Sequence, residues 1–142
     1  MTPKPIRIEG LFNAPIAKLW QALTNKAEMK LWYFDIAAFE PEIDFEFEFT
    51  AGTDEKKYRH LCKVTTVIPG NTIAYNWRYD GYEGNSNVCF ELSEAGTQTK
   101  LTLTHAGLES FPESNPDFAK ENFVAGWTHI IGIGLKVFVE TP

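Results

Sequence analysis

Tyr58 and His60 stand among apolar neighbours in one alternating run, and Tyr75 and Tyr79 in another. A hydroxyl or imidazole that faces a core must find a hydrogen-bond partner, because burying it unpaired costs roughly 1–3 kcal/mol. A few such groups converging in an apolar cleft are how a small-molecule site is built. Bonding to one another, or reaching the mouth of a cavity, would satisfy them equally well. His60 is the strongest single candidate for acid–base work or for orienting a ligand, since imidazole titrates near neutrality. His105 ends a later strand near a loop, and His129 falls on the polar side of the last helical run. Three His and two Cys spread over separate runs do not match a metal-ligand spacing, so no metal is expected. No Ser-His-Asp order, phosphate-binding loop, GxGxxG or Cys-His pair can be defended. No catalytic residue is therefore assigned, and no cofactor is expected.

These rings are carried by strands. Residues 6–12 alternate, with Ile6, Ile8, Gly10 and Phe12 on one face and Arg7 and Glu9 on the other. Asn13-Ala14-Pro15 predicts a helix start with Asn13 as cap, and Asn25 with Glu28 starts a second short helix reaching about Trp32. Ile43, Phe45, Phe47 and Phe49 then alternate with Asp44, Glu46 and Glu48, whose carboxylates read as a solvated face. Ala51-Gly52-Thr53-Asp54 makes a turn. Tyr58, His60, Cys62 and Val64 form the next inward row, and Pro69-Gly70-Asn71 turns the chain again. Ile73, Tyr75, Trp77 and Tyr79 share a face, followed by Val88, Phe90 and Leu92, then Leu101 and Leu103. Hairpin-length connections predict an antiparallel sheet with one wet face.

Asn115-Pro116-Asp117 predicts the start of a long last helix. On a helical wheel Phe123, Val124, Trp127, Ile130, Ile131, Leu135 and Phe138 fall on one broad arc. About two dozen residues at 1.5 Å each span roughly 35 Å, enough to cross a sheet. The inward strand rows then place Phe45, Phe47, Tyr58 and His60, with Tyr75, Trp77 and Phe90, opposite Trp127 and Ile131. Gly134 lies on the same arc. A missing side chain there gives either room for a ligand or close packing against sheet aromatics.

Composition bounds what this architecture can do. The 142 residues suit one domain, 1–142, with one core. Eleven Phe, five Tyr and four Trp make an aromatic interior, a common pocket lining. A net charge of −6 without a basic cluster argues against nucleic acid. The polar opening MTPKPIRIEG has no apolar core of a signal peptide, and no unbroken run approaches the about eighteen apolar residues of a membrane span. Cys62 and Cys89 are expected as free thiols in a cytoplasmic protein.

The stretch NAPIAKLWQALTNKAEMKLW after the first strand, the strand pair YRHLCKVTTVIPGNTIAYNW and the final GWTHIIGIGLKVFVE together resemble the Activator of Hsp90 ATPase homologue-like family of the START-like (SRPBCC) superfamily. The most specific elements are Pro15 to Trp20, the turn Ile68-Pro69-Gly70-Asn71 before the Trp77 strand, and Gly126-Trp127. The resemblance implies an α+β helix-grip fold. In it a curved antiparallel sheet wraps a long C-terminal helix, with a two-helix hairpin after the first strand. It also implies carriage or sensing of an apolar or lipid-like small molecule in a cavity between sheet and helix. Some relatives are cyclases, which keeps a second reading: an enzyme on the same scaffold with His60 and a Tyr as acid and base. A third is a protein-interaction module of the co-chaperone type. The eukaryotic namesakes carry a further N-terminal domain for which 142 residues leave no room. A weak homodimer and a chaperone partner stay open.

Overall fold

Each strand forms where apolar and polar residues alternate, and the alternation fixes which face turns inward. A computed structural model describes residues 4–52 and 56–141. Thr53 and Asp54 of the expected turn after Gly52 lie outside the described residues. Six strands, β1 (Ile6–Phe12), β2 (Glu46–Gly52), β3 (Lys57–Ile68), β4 (Thr72–Tyr79), β5 (Ser86–Ala95) and β6 (Gln98–Ala106), pair antiparallel in the order β1-β6-β5-β4-β3-β2. Their inner faces bury the expected rows, including Phe47, Val64, Tyr75, Val88 and Leu103. Their outer faces carry exposed ion pairs such as Arg59–Glu48 at 2.6 Å and Lys63–Asp44 at 3.7 Å. Such pairs contribute little to stability.

Two short helices, α1 (Ile16–Thr24) and α2 (Lys26–Trp32), follow β1. The Asn25 side chain caps α2 by accepting from the Glu28 N–H at 3.1 Å. The expected Asn13 cap of α1 does not form. Pro15 occupies that position, and the Asn13 N–H instead donates to Glu140 Oε2 at 2.9 Å, tying the chain's end to this corner. Ile43 is a second departure. It is 61% exposed in the turn before β2, where Asp44 adopts φ +73° and so breaks the alternation.

The C-terminal helix is continuous over Lys120–Glu140. It runs as α3 (Lys120–His129), a π-helical stretch Ile130–Leu135, and α4 (Lys136–Glu140). Residues 116–118 make only a single 3₁₀ turn, so the helix starts later than the Asn-Pro-Asp signal predicts. Its buried row is Phe123, Trp127, Ile131, Leu135 and Val139, one every four residues. In an ideal α-helix a four-residue spacing drifts by about 40° per step. The wider turn of a π-helix takes up that drift and keeps the row on the sheet. This is why Val139 is buried although the wheel leaves it out, and why Val124, placed on the arc, is 39% exposed.

By length and composition the helix Lys120–Glu140, one 18-residue stretch of which has mean hydropathy 1.3, is also apolar enough to cross a membrane. Counting unbroken apolar residues misses this, because glycines and polar residues are interspersed. Here the Phe123-to-Val139 row packs into the core beneath the sheet, and a lipid-spanning helix would have to give up that packing.

Candidate functional site

Antiparallel register decides which inward side chains meet. His60 pairs with Tyr79 across β3 and β4, and with Phe49 across β2 and β3. Tyr58, His60, Trp77 and Tyr79 therefore collect at one end of the sheet, against the first turns of α3. There they line a cleft of about 520 Å³ together with Phe34, Phe118, Phe123, Trp127 and Ile130. Lys56, Asp117 and Asn122 stand at its rim. The volume falls within the usual range of small-molecule pockets.

Two rings from the segment after α2 close off the deeper space. The backbone leaves the helix at Tyr33, whose φ −117° and ψ −100° turn the chain toward the sheet. Tyr33 stacks on Trp127 at 6.1 Å between ring centroids, and its hydroxyl shares a hydrogen bond with that of Tyr75 at 2.7 Å. Burial holds both phenols protonated, far above their ordinary range. Phe34 stacks on Phe49 at 4.3 Å and lies beside His60 at 6.2 Å. The interior between sheet and helix is thus filled on one side of Phe34 and open on the other.

Polar tips in and around the cleft already have partners. The Trp77 Nε1–H donates to the Tyr79 hydroxyl at 2.9 Å, and the Tyr58 hydroxyl donates to Asp117 Oδ2 at 2.5 Å. His60 Nδ1 lies 2.9 Å from the Tyr58 carbonyl, which can only accept, so Nδ1 carries the proton. Burial lowers the His60 pKa to about 4, and carbonyl contacts from Tyr58 and Phe49 offset only part of that. At neutral pH the imidazole is uncharged.

Beneath the cleft runs a second polar chain. The Trp127 Nε1–H donates to His105 Nδ1 at 3.0 Å, so the His105 proton sits on Nε2 and points to Ser86 Oγ at 2.7 Å. Ser86 Oγ donates in turn to the Trp77 carbonyl at 2.8 Å. The direction of every bond follows from the indole, which can only donate, and the carbonyl, which can only accept. His105, expected near a loop, is fully buried, and burial lowers its pKa to about 3. A smaller depression of about 280 Å³ borders the same imidazole under the loop of residues 107–120. Both His105 nitrogens are already bonded, so the larger cleft is the better candidate.

Of the residues singled out in the sequence for a site, Tyr58, His60, Trp77, Tyr79 and Trp127 line the cleft. The others lie elsewhere. Phe47 meets Phe39 and Tyr75 edge-on at 5.0 Å each, and Phe45 packs beside Phe39. Phe90 sits between Tyr75 and Trp127, and Ile131 lies under β1, close to Gly10. Gly134 departs from both of its expected roles. A Cβ there would sit 3.1 Å from the Trp32 carbonyl, so this glycine admits α2 and borders neither the cleft nor the sheet aromatics. Phase along a strand gives facing but not depth, and depth separates these residues. Phe34, Phe118 and Asp117 lie in loops or single turns, where no periodic signal marks them.

A sequence model described as "Activator of Hsp90 ATPase homolog 1-like protein" matches residues 13–140. The chain belongs to this family. Solved structures similar to this family member include CV1439 from Chromobacterium violaceum, with TM-score 0.82 and 21% identity over 99% of each chain. Protein BH1534 from Bacillus halodurans aligns with TM-score 0.76 and 24% identity, over 99% of this chain and 100% of the other. The Aha1 dimer from Colwellia psychrerythraea aligns with TM-score 0.70 and 21% identity over 96% of each chain. No curated protein matches by sequence. At these identities the neighbours establish the helix-grip architecture, to which the six-stranded sheet, the C-terminal helix and the two helices after β1 conform.

Proposed function

We propose that this family member binds an apolar or aromatic small molecule in the cleft between the β3–β4 end of the sheet and α3. The observation that carries the reading is a cleft walled by aromatic rings whose polar tips are already bonded among themselves. Such a surface gains by shedding water onto a flat apolar body and loses no hydrogen bond in doing so. The same bonding favours binding over cyclase-type chemistry. Burial makes His60 a weak base, with its pKa lowered to about 4, while the hydroxyls of Tyr58, Tyr75 and Tyr79 are engaged with Asp117, Tyr33 and Trp77. Two unpaired cysteines suit a reducing, cytoplasmic setting.

Native mass spectrometry of protein purified from its own host should show a small-molecule adduct. The neutral fluorophore N-phenyl-1-naphthylamine should brighten on binding the wild type and be displaced by that adduct. Gly126 borders the cleft, and a Cβ there meets nothing within 4 Å. Gly126→Leu should therefore occupy the cleft and abolish the brightening. Absence of both adduct and brightening, or brightening untouched by Gly126→Leu, would remove the cleft as the binding site.

A further inference from the structure

The rim of the cleft already holds an ammonium group, and it belongs to the chain itself. Lys56 Nζ lies 5.4 Å from the Tyr58 ring centroid and 5.9 Å from that of Tyr82. It hydrogen-bonds to the Tyr82 and Tyr58 hydroxyls, which raise its pKa. Phe118 closes the third side, 5.2 Å from each of the two tyrosine rings. The Tyr58 hydroxyl proton is committed to Asp117 Oδ2 at 2.5 Å, and Asn115 Nδ2 donates to the same phenol oxygen at 3.2 Å. Tyr58 thus offers only lone-pair density to a newcomer, with a carboxylate directly behind it.

We propose that this rim receives a protonated amine in place of the Lys56 ammonium, so that the ligand is an aryl- or alkylamine whose apolar body lies against Trp77 and Trp127. The inference rests on the cleft reading above and adds the chemistry of the ligand's head. Phenol oxygens, aromatic faces and a carboxylate all attract a cation. An anionic head would meet the Asp117 carboxylate and a phenol with no proton to give. The chain's net charge of −6 draws cations and repels anions at longer range. Lys56 is an exposed side chain on the rim, and contacts made by an exposed ammonium are weak enough for a bound amine to compete with them. A free amine that also buries an apolar body in the cleft gains contacts that the lysine stem does not make there.

Calorimetric titration with 4-phenylbutylamine, 4-phenylbutanol and 4-phenylbutyrate separates the parts of the argument. The alcohol reports on the cleft alone. The amine should bind roughly tenfold more tightly than the alcohol, the difference expected of one exposed charge-assisted site, and the carboxylate most weakly. Lys56→Met should tighten the amine further by removing the competing ammonium. Asp117→Asn should bring the amine down to the level that the alcohol shows in the same variant. Tightest binding by 4-phenylbutyrate, lost in Lys56→Met, would make Lys56 an anion receptor and overturn the inference. Equal binding of amine and alcohol would overturn it too, yet leave the cleft reading intact. If none of the three binds either the wild type or Lys56→Met, the cleft reading fails, and this inference with it.

Discussion

Protonating a buried imidazole places a charge where little water reaches it, and both His60 and His105 carry that penalty. Their folded pKa values, about 4 and about 3, lie below the ordinary value of 6.5. A group with a depressed folded pKa binds its proton more readily in the unfolded chain. Stability is therefore full above pH 6.5 and is lost as pH falls toward the folded values. Near pH 5 each histidine should contribute about 1.4 kcal/mol of lost stability per pH unit, on top of any carboxylate effect. Urea unfolding between pH 7 and pH 4.5 measures this. His60→Leu should lower the slope near pH 5 by the share of one proton, and an unchanged slope would mean that His60 titrates normally in the folded state. Both histidines share the phase of an inward row, His60 with Tyr58 and Cys62 and His105 with Leu101 and Leu103. The bonding partners of His105, Trp127 and Ser86, arrive from other elements and are not read from that alternation.

At the scale of elements, two of the three glycines in the last helix, Gly126 and Gly134, should behave in opposite ways. Gly126 has open space where a side chain would go, and Gly134 has the Trp32 carbonyl 3.1 Å away. Replacing Gly126 by Leu should raise stability by up to about 1 kcal/mol, since glycine is a poor helix former. Replacing Gly134 by Leu should cost roughly 1–3 kcal/mol, because a backbone carbonyl cannot move aside as a side-chain tip can. Thermal unfolding of the two variants checks the pair, and a stabilised Gly134→Leu would mean that α2 is not held against the helix as described. The π-helical stretch belongs to this scale as well. A four-residue spacing of Phe123, Trp127, Ile131, Leu135 and Val139 is visible in the sequence. It becomes legible as a π-helix only once all five are known to face one surface.

Over the whole molecule, the sheet separates an aromatic interior from a charged exterior, and the two cysteines lie on opposite sides of that boundary. Cys62 is buried in the inward row of β3, and Cys89 is half-exposed on the outer face of β5. Burial drives the Cys62 thiol far above its usual pKa, and Cys89 is raised less strongly. A thiol reagent added to native protein should label Cys89 first and Cys62 only on unfolding, with two thiols titrated in the absence of reductant. Fewer than two would mean that a disulfide forms and would count against a reducing compartment.

Facing was legible in the sequence because it is a local property. Alternation in strands such as Ile73 to Tyr79 needs only the two-residue pleat, and it fixed the inner and outer sides of the sheet before any strand was paired. The Asn25 cap, the turn at Pro69-Gly70-Asn71 and the apolar C-terminal helix are local in the same sense. Depth and partnership were not legible, because they depend on register between strands distant in the chain. Register gathers Tyr58, His60, Trp77 and Tyr79 at one end of the sheet and sends Phe47 and Tyr75 to another. The cleft itself exists because Tyr33 and Phe34, on a segment with no period, fill part of the interior and stop short of the rest. Tertiary packing alone decides such a boundary, since the space left open is set by where side chains from separate elements come to rest against one another.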